Sequence, residues 1–374
     1  MTGAQTLTKA KRVIVKIGSI LLVDPDRGTV HRRWLESLAE DLARFRDRGQ
    51  EVILVSSGAI AVGRRHLELG SGKLRLQESQ AAAATGMVRL AHAYQEVLAH
   101  HGMTVAQVLV TLDDSENRRR YINARNTLDT LLKLGAVPLI NENDTVATDE
   151  IRFGDNDRLA ARVASMVSAD VLVLLSHVDG LYDADPTESD TANHVPEVRG
   201  EVDGAIQAMA GTSMSHDGSG GMITKLEAAR IAMNAGALTV IADGTEMHPL
   251  RRIEDGVRAT WFIPNANPKA ARKRWIASAL KPVGAIIVDA GALKALESGK
   301  SLLPAGITGI DGDFQRGDAV RIVTTDGKEV ARGITAYSAD DGRRIMGNKT
   351  SEIETILGYR GRDEMVHRND LVLS

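Results

Sequence analysis

The sequence predicts an α/β protein, with a mainly parallel sheet sandwiched by helices, followed by a small β-rich domain. Three observations predict it. Short continuous aliphatic runs alternate with longer helical patterns over the first two thirds of the chain. Nearly every run ends in Gly, Ser, Asn, Asp or Lys, and past residue 265 the spacing shortens to brief strands and Gly-centred turns. Unbroken Val/Ile/Leu runs, rather than alternating ones, are what a parallel strand covered on both faces requires.

In order, Val13–Val15 leads into Lys16-Ile17-Gly18-Ser19, and Val52–Val55 into Ser56-Ser57-Gly58. Val105–Val110 leads into Thr111-Leu112-Asp113, and Val137–Ile140 into Asn141-Glu142-Asn143-Asp144. Val171–Leu175 leads into Ser176-His177, and Leu238–Ala242 into Asp243-Gly244. Helical patterns lie between them, for example over Trp34–Arg48, Gln80–His100 and Asn123–Leu134. Alternation of this kind makes an open parallel sheet with helices on both faces, and such sheets bind ligands at the carboxyl ends of their strands. The expected boundaries are a domain over 1–265, a basic helical connector over 266–281 and a β-rich domain over 282–374. In the last, Gly284–Val288, Ala319–Val323 and Val330–Ile334 read as strands and Asp326-Gly327 as a turn.

Composition narrows the function. Hydrophobic residues make up 43% and charged residues 25% of 374 positions, as in an ordinary globular protein. The net charge of −3 gives no global field toward nucleic acid or anionic lipid. No cysteine is present, which excludes disulfides, thiolate metal sites and a thiol nucleophile, and fits a reducing cytoplasm. No apolar run is long enough to span a bilayer, and the first residues lack a signal-peptide core, so a soluble cytoplasmic protein is expected.

Two lysines are the candidates for the chemistry, although a strand-end lysine can also simply snorkel to solvent. Lys16 ends the first strand, where a buried ammonium needs an anion. Lys225 follows Gly218, Gly220 and Gly221 in the first turn of a helical pattern. A cation there opposes the helix dipole, unless a phosphate sits between the helix end and the ammonium. Together they suggest a clamp on a polyphosphate. Asn141-Glu142-Asn143-Asp144 and Gly154-Asp155-Asn156-Asp157, the second opening a helix from Arg158, add acidic groups. These could hold magnesium, bind a substrate ammonium or orient the lysines. Ser56-Ser57-Gly58-Ala59 could receive a carboxylate. No G-x-x-x-x-G-K-[ST], G-x-S-x-G or H-E-x-x-H is present, nor an early G-x-G-x-x-G, and the histidines lack metal-type spacing.

Lys16-Ile17-Gly18-Ser19, Ser57-Gly58-Ala59-Ile60, Gly154-Asp155-Asn156-Asp157, Asp179-Gly180-Leu181-Tyr182 and Gly220-Gly221-Met222 through Lys225 occur in the order found in the amino acid kinase family, which the chain resembles. The tail, from Gly299-Lys300-Ser301-Leu302-Leu303-Pro304 through Gly317-Asp318 to Val366-His367-Arg368, resembles a PUA domain. The Asn141–Ala147 segment resembles members acting on L-glutamate. That likeness implies ATP-dependent phosphorylation of the glutamate γ-carboxylate, opening proline synthesis. By the same likeness Lys16 and Lys225 contact phosphate and Asp157 orients them. The resemblance further implies that Ser57, Asp144 and Asn156 bind glutamate, and that Lys16, Ser176, His177, Ser219, Gly220, Gly221, Met222, Ile223, Thr224 and Lys225 bind nucleotide. Mg²⁺ is expected to arrive largely on the ATP phosphates; feedback inhibition by L-proline and a homo-oligomer are also implied.

Two positions depart from the family pattern. His177 stands where many members have Asp, and Ile20 where a small hydroxyl residue is common. The alternatives are a sister kinase acting on uridylate, aspartate, carbamate or acetylglutamate, and an RNA-binding protein with a vestigial kinase domain. Against RNA, residues 281–374 hold thirteen Lys/Arg and fourteen Asp/Glu, without a net basic footprint.

Overall fold

The structure, a computed structural model, describes residues 3–24, 27–70, 72–146, 155–187, 189, 191–210, 221–278 and 281–374. Two compact units divide the chain, Met1–Pro268 and Lys269–Ser374.

The first unit is built on β1 (Arg12–Ile17), β2 (Glu51–Ser56), β3 (Val105–Val110), β4 (Val137–Glu142) and β5 (Val171–Ser176). These are followed by a small hairpin of β6 (Leu181–Tyr182) and β7 (His194–Val195), then β8 (Glu197–Gly200), β9 (Leu238–Asp243) and β10 (Ala259–Pro264). One eight-stranded sheet runs in the order β3-β4-β2-β1-β5-β9-β10-β8. It is parallel from β3 to β9, as the aliphatic runs predict; β10 turns antiparallel to β9 and β8 runs parallel to β10. The sequence reading did not anticipate β8 or β10.

Alternation along β1 assigns its side chains to two cores. Val13, Val15 and Ile17 join one with Trp34, Leu38, Leu90 and Tyr94, from the helices Arg32–Asp47 and Leu76–Ala99. Ile14 joins the other with Leu159, Val163, Leu226 and Ala229, from the helices Asp155–Val167 and Met222–Asn234. Lys16, two residues beyond Ile14, therefore lies on the Ile14 face. One correction follows: the helix after Gly154 begins at Asp155, not Arg158. Acidic residues are favoured at the positive end of a helix, and this places Asp157 inside the first turn.

The second unit has its own five-stranded sheet. Its strands are β11 (Gly284–Val288), β12 (Ile307–Gly312), β13 (Ala319–Thr324), β14 (Glu329–Thr335) and β15 (Val366–Leu373), in the order β12-β11-β13-β14-β15. Only the β11–β13 pair is parallel. Phe314, Ile286, Val320, Ile322 and Ile345, all fully buried, belong to its core. The helix Pro268–Ser278 is tied to β15 by a buried ion pair, Arg272 to Asp370 at 2.6 Å. No described helix is long and apolar enough to cross a membrane.

Candidate active site

Parallel pairing brings the carboxyl ends of β2, β1, β5 and β9 to one edge. Ile17 is in register with Ser56, Leu175 with both Ile17 and Ala242, and Ser176 with Asp243. The two lysines meet just inside this edge. Lys16 Nζ lies 2.6 Å from Asp157 Oδ1, and Lys225 Nζ 3.5 Å from Asp157 Oδ2. Lys16 is 7% exposed, Lys225 5%, and Asp157 fully buried. Thr224 adds its hydroxyl, 3.2 Å from Asp157 Oδ2 and 2.9 Å from the Gly221 carbonyl oxygen. One carboxylate thus joins strand β1 to the start of the helix Met222–Asn234. Arg158 Nε, 2.6 Å from Glu227 Oε2, ties that helix to Asp155–Val167 one turn further out.

The electrostatics follow from burial. Desolvation works against the Asp157 charge, but the ammoniums of Lys16 and Lys225 outweigh it and hold the carboxyl below its ordinary value. Desolvation also depresses the Lys225 ammonium; Asp157 opposes that shift and Lys16 adds to it. Two cations held around an ionised carboxylate are arranged to receive a polyanion.

The remaining residues flank this cluster along the strand ends. Ser57 follows β2 and is half-buried; Gly58 takes φ +97° and caps the helix Ala59–His66. That φ belongs to the left-handed region, and a Cβ on Gly58 would sit 2.8 Å from Val23 Cγ2, so glycine is required twice over. Asp144 lies in the turn after β4 and is 9% exposed. Asn156 is half-buried in the first turn of its helix, and its Oδ1 is buried without a hydrogen-bond partner among the described residues. Ser176 ends β5 and is buried, with its carbonyl accepting from Gly244 N at 2.8 Å; His177 is exposed beside it.

Gly18 N donates to the Leu175 carbonyl at 3.2 Å, which fastens the turn after β1 to β5. Ile20 lies in the short helix Ser19–Leu22 and is 40% exposed, whereas its neighbours Leu21 and Leu22 are buried. Gly221 is the N-cap of the helix carrying Lys225, with Met222, Ile223 and Thr224 filling its first turn. Ser219 and Gly220, expected to bind nucleotide, lie outside the described residues, as do Ala147 and Gly154. The sequence reading missed the Arg158–Glu227 link and the part Thr224 plays at Asp157. No local signal marks either, since each depends on two helices far apart in the chain.

The amino acid kinase family model matches residues 11–243, and the PUA domain model matches 284–357. The chain is 64% identical to a glutamate 5-kinase of Paramagnetospirillum magneticum, over 98% of this chain and 99% of the relative. It is 57% identical to glutamate 5-kinases of Rhodospirillum rubrum and Dinoroseobacter shibae. Those alignments cover 96% of both chains in the first case, and 98% of this chain and all of the relative in the second.

Proposed function

The chain belongs to the amino acid kinase family, and we propose that its two buried lysines serve phosphoryl transfer to a carboxylate. It is an ATP-dependent kinase of the L-glutamate γ-carboxylate, forming γ-glutamyl 5-phosphate, the first step of proline biosynthesis from glutamate. The observation that carries the mechanism is the meeting of Lys16 and Lys225 on Asp157. A side-chain carboxylate, with an ordinary pKa of about 4.3, is already ionised at neutral pH and needs no general base. The barrier lies in bringing this anion against a triphosphate. Lys16 at the strand end and Lys225 at the helix start supply positive charge that offsets phosphate charge in the transition state. Asp157 holds both ammoniums in place before substrate arrives, so little reorganisation is left to the reaction.

Glutamate is assigned to Ser57, Asp144 and Asn156. Asp144 offers an anion to the α-ammonium, and Asn156 Oδ1 is a buried acceptor without a hydrogen-bond partner among the described residues. The nucleotide is assigned to Ser176, His177 and the segment 219–225. Both oxygens of Asp157 are committed to lysines, so Mg²⁺ fits better on the ATP phosphates than on that carboxylate. Bound there, it would neutralise phosphate charge. Inhibition by L-proline and self-association belong to the same reading. The near-neutral charge balance of residues 281–374 argues against a general RNA-binding surface.

The test is to trap the acyl phosphate with hydroxylamine, using ATP, Mg²⁺ and a panel of L-glutamate, L-aspartate, N-acetyl-L-glutamate and carbamate, with UMP phosphorylation assayed separately. Hydroxamate formed from L-glutamate, and suppressed by added L-proline, is expected. Turnover of another acceptor at a rate equal to or above that with glutamate would overturn the assignment.

A further inference from the structure

Beneath the Ser57 loop lies a buried polar contact that the proposed chemistry does not use. Tyr94, on the helix Leu76–Ala99, is fully buried within an aliphatic core. Its hydroxyl lies 3.2 Å from Ser56 Oγ, which in turn lies 3.3 Å from the Ser57 carbonyl oxygen. Ser56 is itself fully buried, and its carbonyl accepts from Asn141 Nδ2 at 2.9 Å. A serine hydroxyl has one proton. If Ser56 gives that proton to the Ser57 carbonyl, the Tyr94 phenol is the donor to Ser56. Burial raises the phenol's pKa, so it remains a donor at any working pH.

A phenol placed in an aliphatic core carries a desolvation cost unless it is hydrogen-bonded, and phenylalanine would fill the same volume without that cost. Here the hydroxyl's reach ends at the peptide joining Ser57 to Gly58. Fixing the carbonyl of a trans peptide on one side fixes its N–H on the other. This peptide stands at the carboxyl end of β2, and at Gly58 the chain passes through a left-handed conformation into a helix. We propose that Tyr94 is a positioning residue for the acceptor substrate: through Ser56 it orients the Ser57–Gly58 peptide against which glutamate binds. This rests on the assignment of Ser57 to glutamate made above.

The experiment compares Tyr94→Phe, Ser56→Ala and the double variant with Ser57→Ala, measuring KM for L-glutamate, KM for ATP, kcat and the unfolding temperature. Tyr94→Phe is expected to raise KM for glutamate by about three- to ten-fold, the loss of one net hydrogen bond. KM for ATP and kcat at saturating glutamate stay within about twofold, because Lys16 and Lys225 are untouched. Ser56→Ala is expected to match it, and the double variant to be no worse than the larger single change. A purely packing role would lower the unfolding temperature and leave KM for glutamate unchanged, and that result overturns the proposal. So do equal rises in both KM values, or single effects that multiply in the double variant. If neither Ser57→Ala nor Tyr94→Phe raises KM for glutamate, the glutamate assignment fails and the positioning role falls with it. If Ser57→Ala raises that KM and Tyr94→Phe does not, only the positioning role fails.

Discussion

At the scale of single residues, the site depends on burying two ammoniums, those of Lys16 and Lys225, against one carboxylate, Asp157. Lys225 shows the cost most clearly, because desolvation lowers its pKa below the ordinary 10.5 even with Asp157 beside it. Truncating Lys225 to Ala removes a positive charge from the proposed phosphate site, and turnover is expected to fall by about a hundredfold or more. Near-normal kcat would refute its role. The depressed pKa also predicts a pH signature with a definite sign. In the free protein the ammonium is lost as pH rises through a value below 10.5, so kcat/KM for ATP declines on that alkaline limb. A bound polyphosphate favours the charged form and moves the pKa upward, so the limb for kcat lies at higher pH. Lys225→Arg, which keeps its charge at every accessible pH, should flatten the kcat/KM limb. Coincident limbs at or above 10.5 in the unaltered protein would show that Lys225 does not control the profile.

At the scale of elements, the two helices beside the Ser57 loop cross unusually closely. A Cβ on Gly86 would lie 1.8 Å from the Ala59 carbonyl oxygen, and one on Gly63 would lie 1.7 Å from that of Ala82. The helices Ala59–His66 and Leu76–Ala99 therefore touch backbone to backbone, with the start of the first directly behind Gly58. Replacing a helical glycine by alanine ordinarily gains about 1 kcal/mol. At Gly86 the clash is with backbone, which cannot rotate aside, and overpacking of this kind costs about 1–3 kcal/mol or more. Gly86→Ala is therefore expected to lower the denaturant midpoint and to raise KM for glutamate. At Gly204, which opens the helix Gly204–Ala208 with nothing within 4 Å of a Cβ, the same change should be neutral or stabilising. A neutral Gly86→Ala would mean that the crossing tolerates separation. Such crossings were not legible in the sequence. The aliphatic runs announced the parallel strands because burial on both faces leaves one compositional mark. A glycine inside a helix marks only a possible close approach, and its partner must be found in space. The missed strand β10 differs for another reason: Ala-Thr-Trp-Phe-Ile-Pro is neither an unbroken aliphatic run nor a clean alternation.

At the scale of the whole molecule, the sequence made the chemistry legible because its polar residues cluster where aliphatic runs stop. Lys16, Ser57, Asp144 and Ser176 all follow or end such runs. The pairing of Lys16 with Lys225 was suggested by their shared oddity, a cation at a strand end and another at a helix start. Their common partner Asp157 could be placed only by resemblance, because charge type alone does not choose among the acidic residues of two segments. Every residue assigned to substrate or nucleotide falls within Met1–Pro268, and the second unit has a sheet and a core of its own. Units with separate cores are expected to fold separately. The natural cut follows Pro268, since Asn267 and Pro268 pack over Gly236, where a Cβ would meet the Asn267 carbonyl carbon at 2.5 Å. Residues 1–268 alone should fold cooperatively and keep kcat within about threefold of the full chain. Calorimetry of the full chain should resolve two transitions. A ligand stabilises only the unit that binds it, so saturating Mg·ATP should raise one transition by mass action and leave the other in place. A single transition that moves as a whole, together with an inactive 1–268 fragment, would mean that the second unit is an energetic part of the kinase.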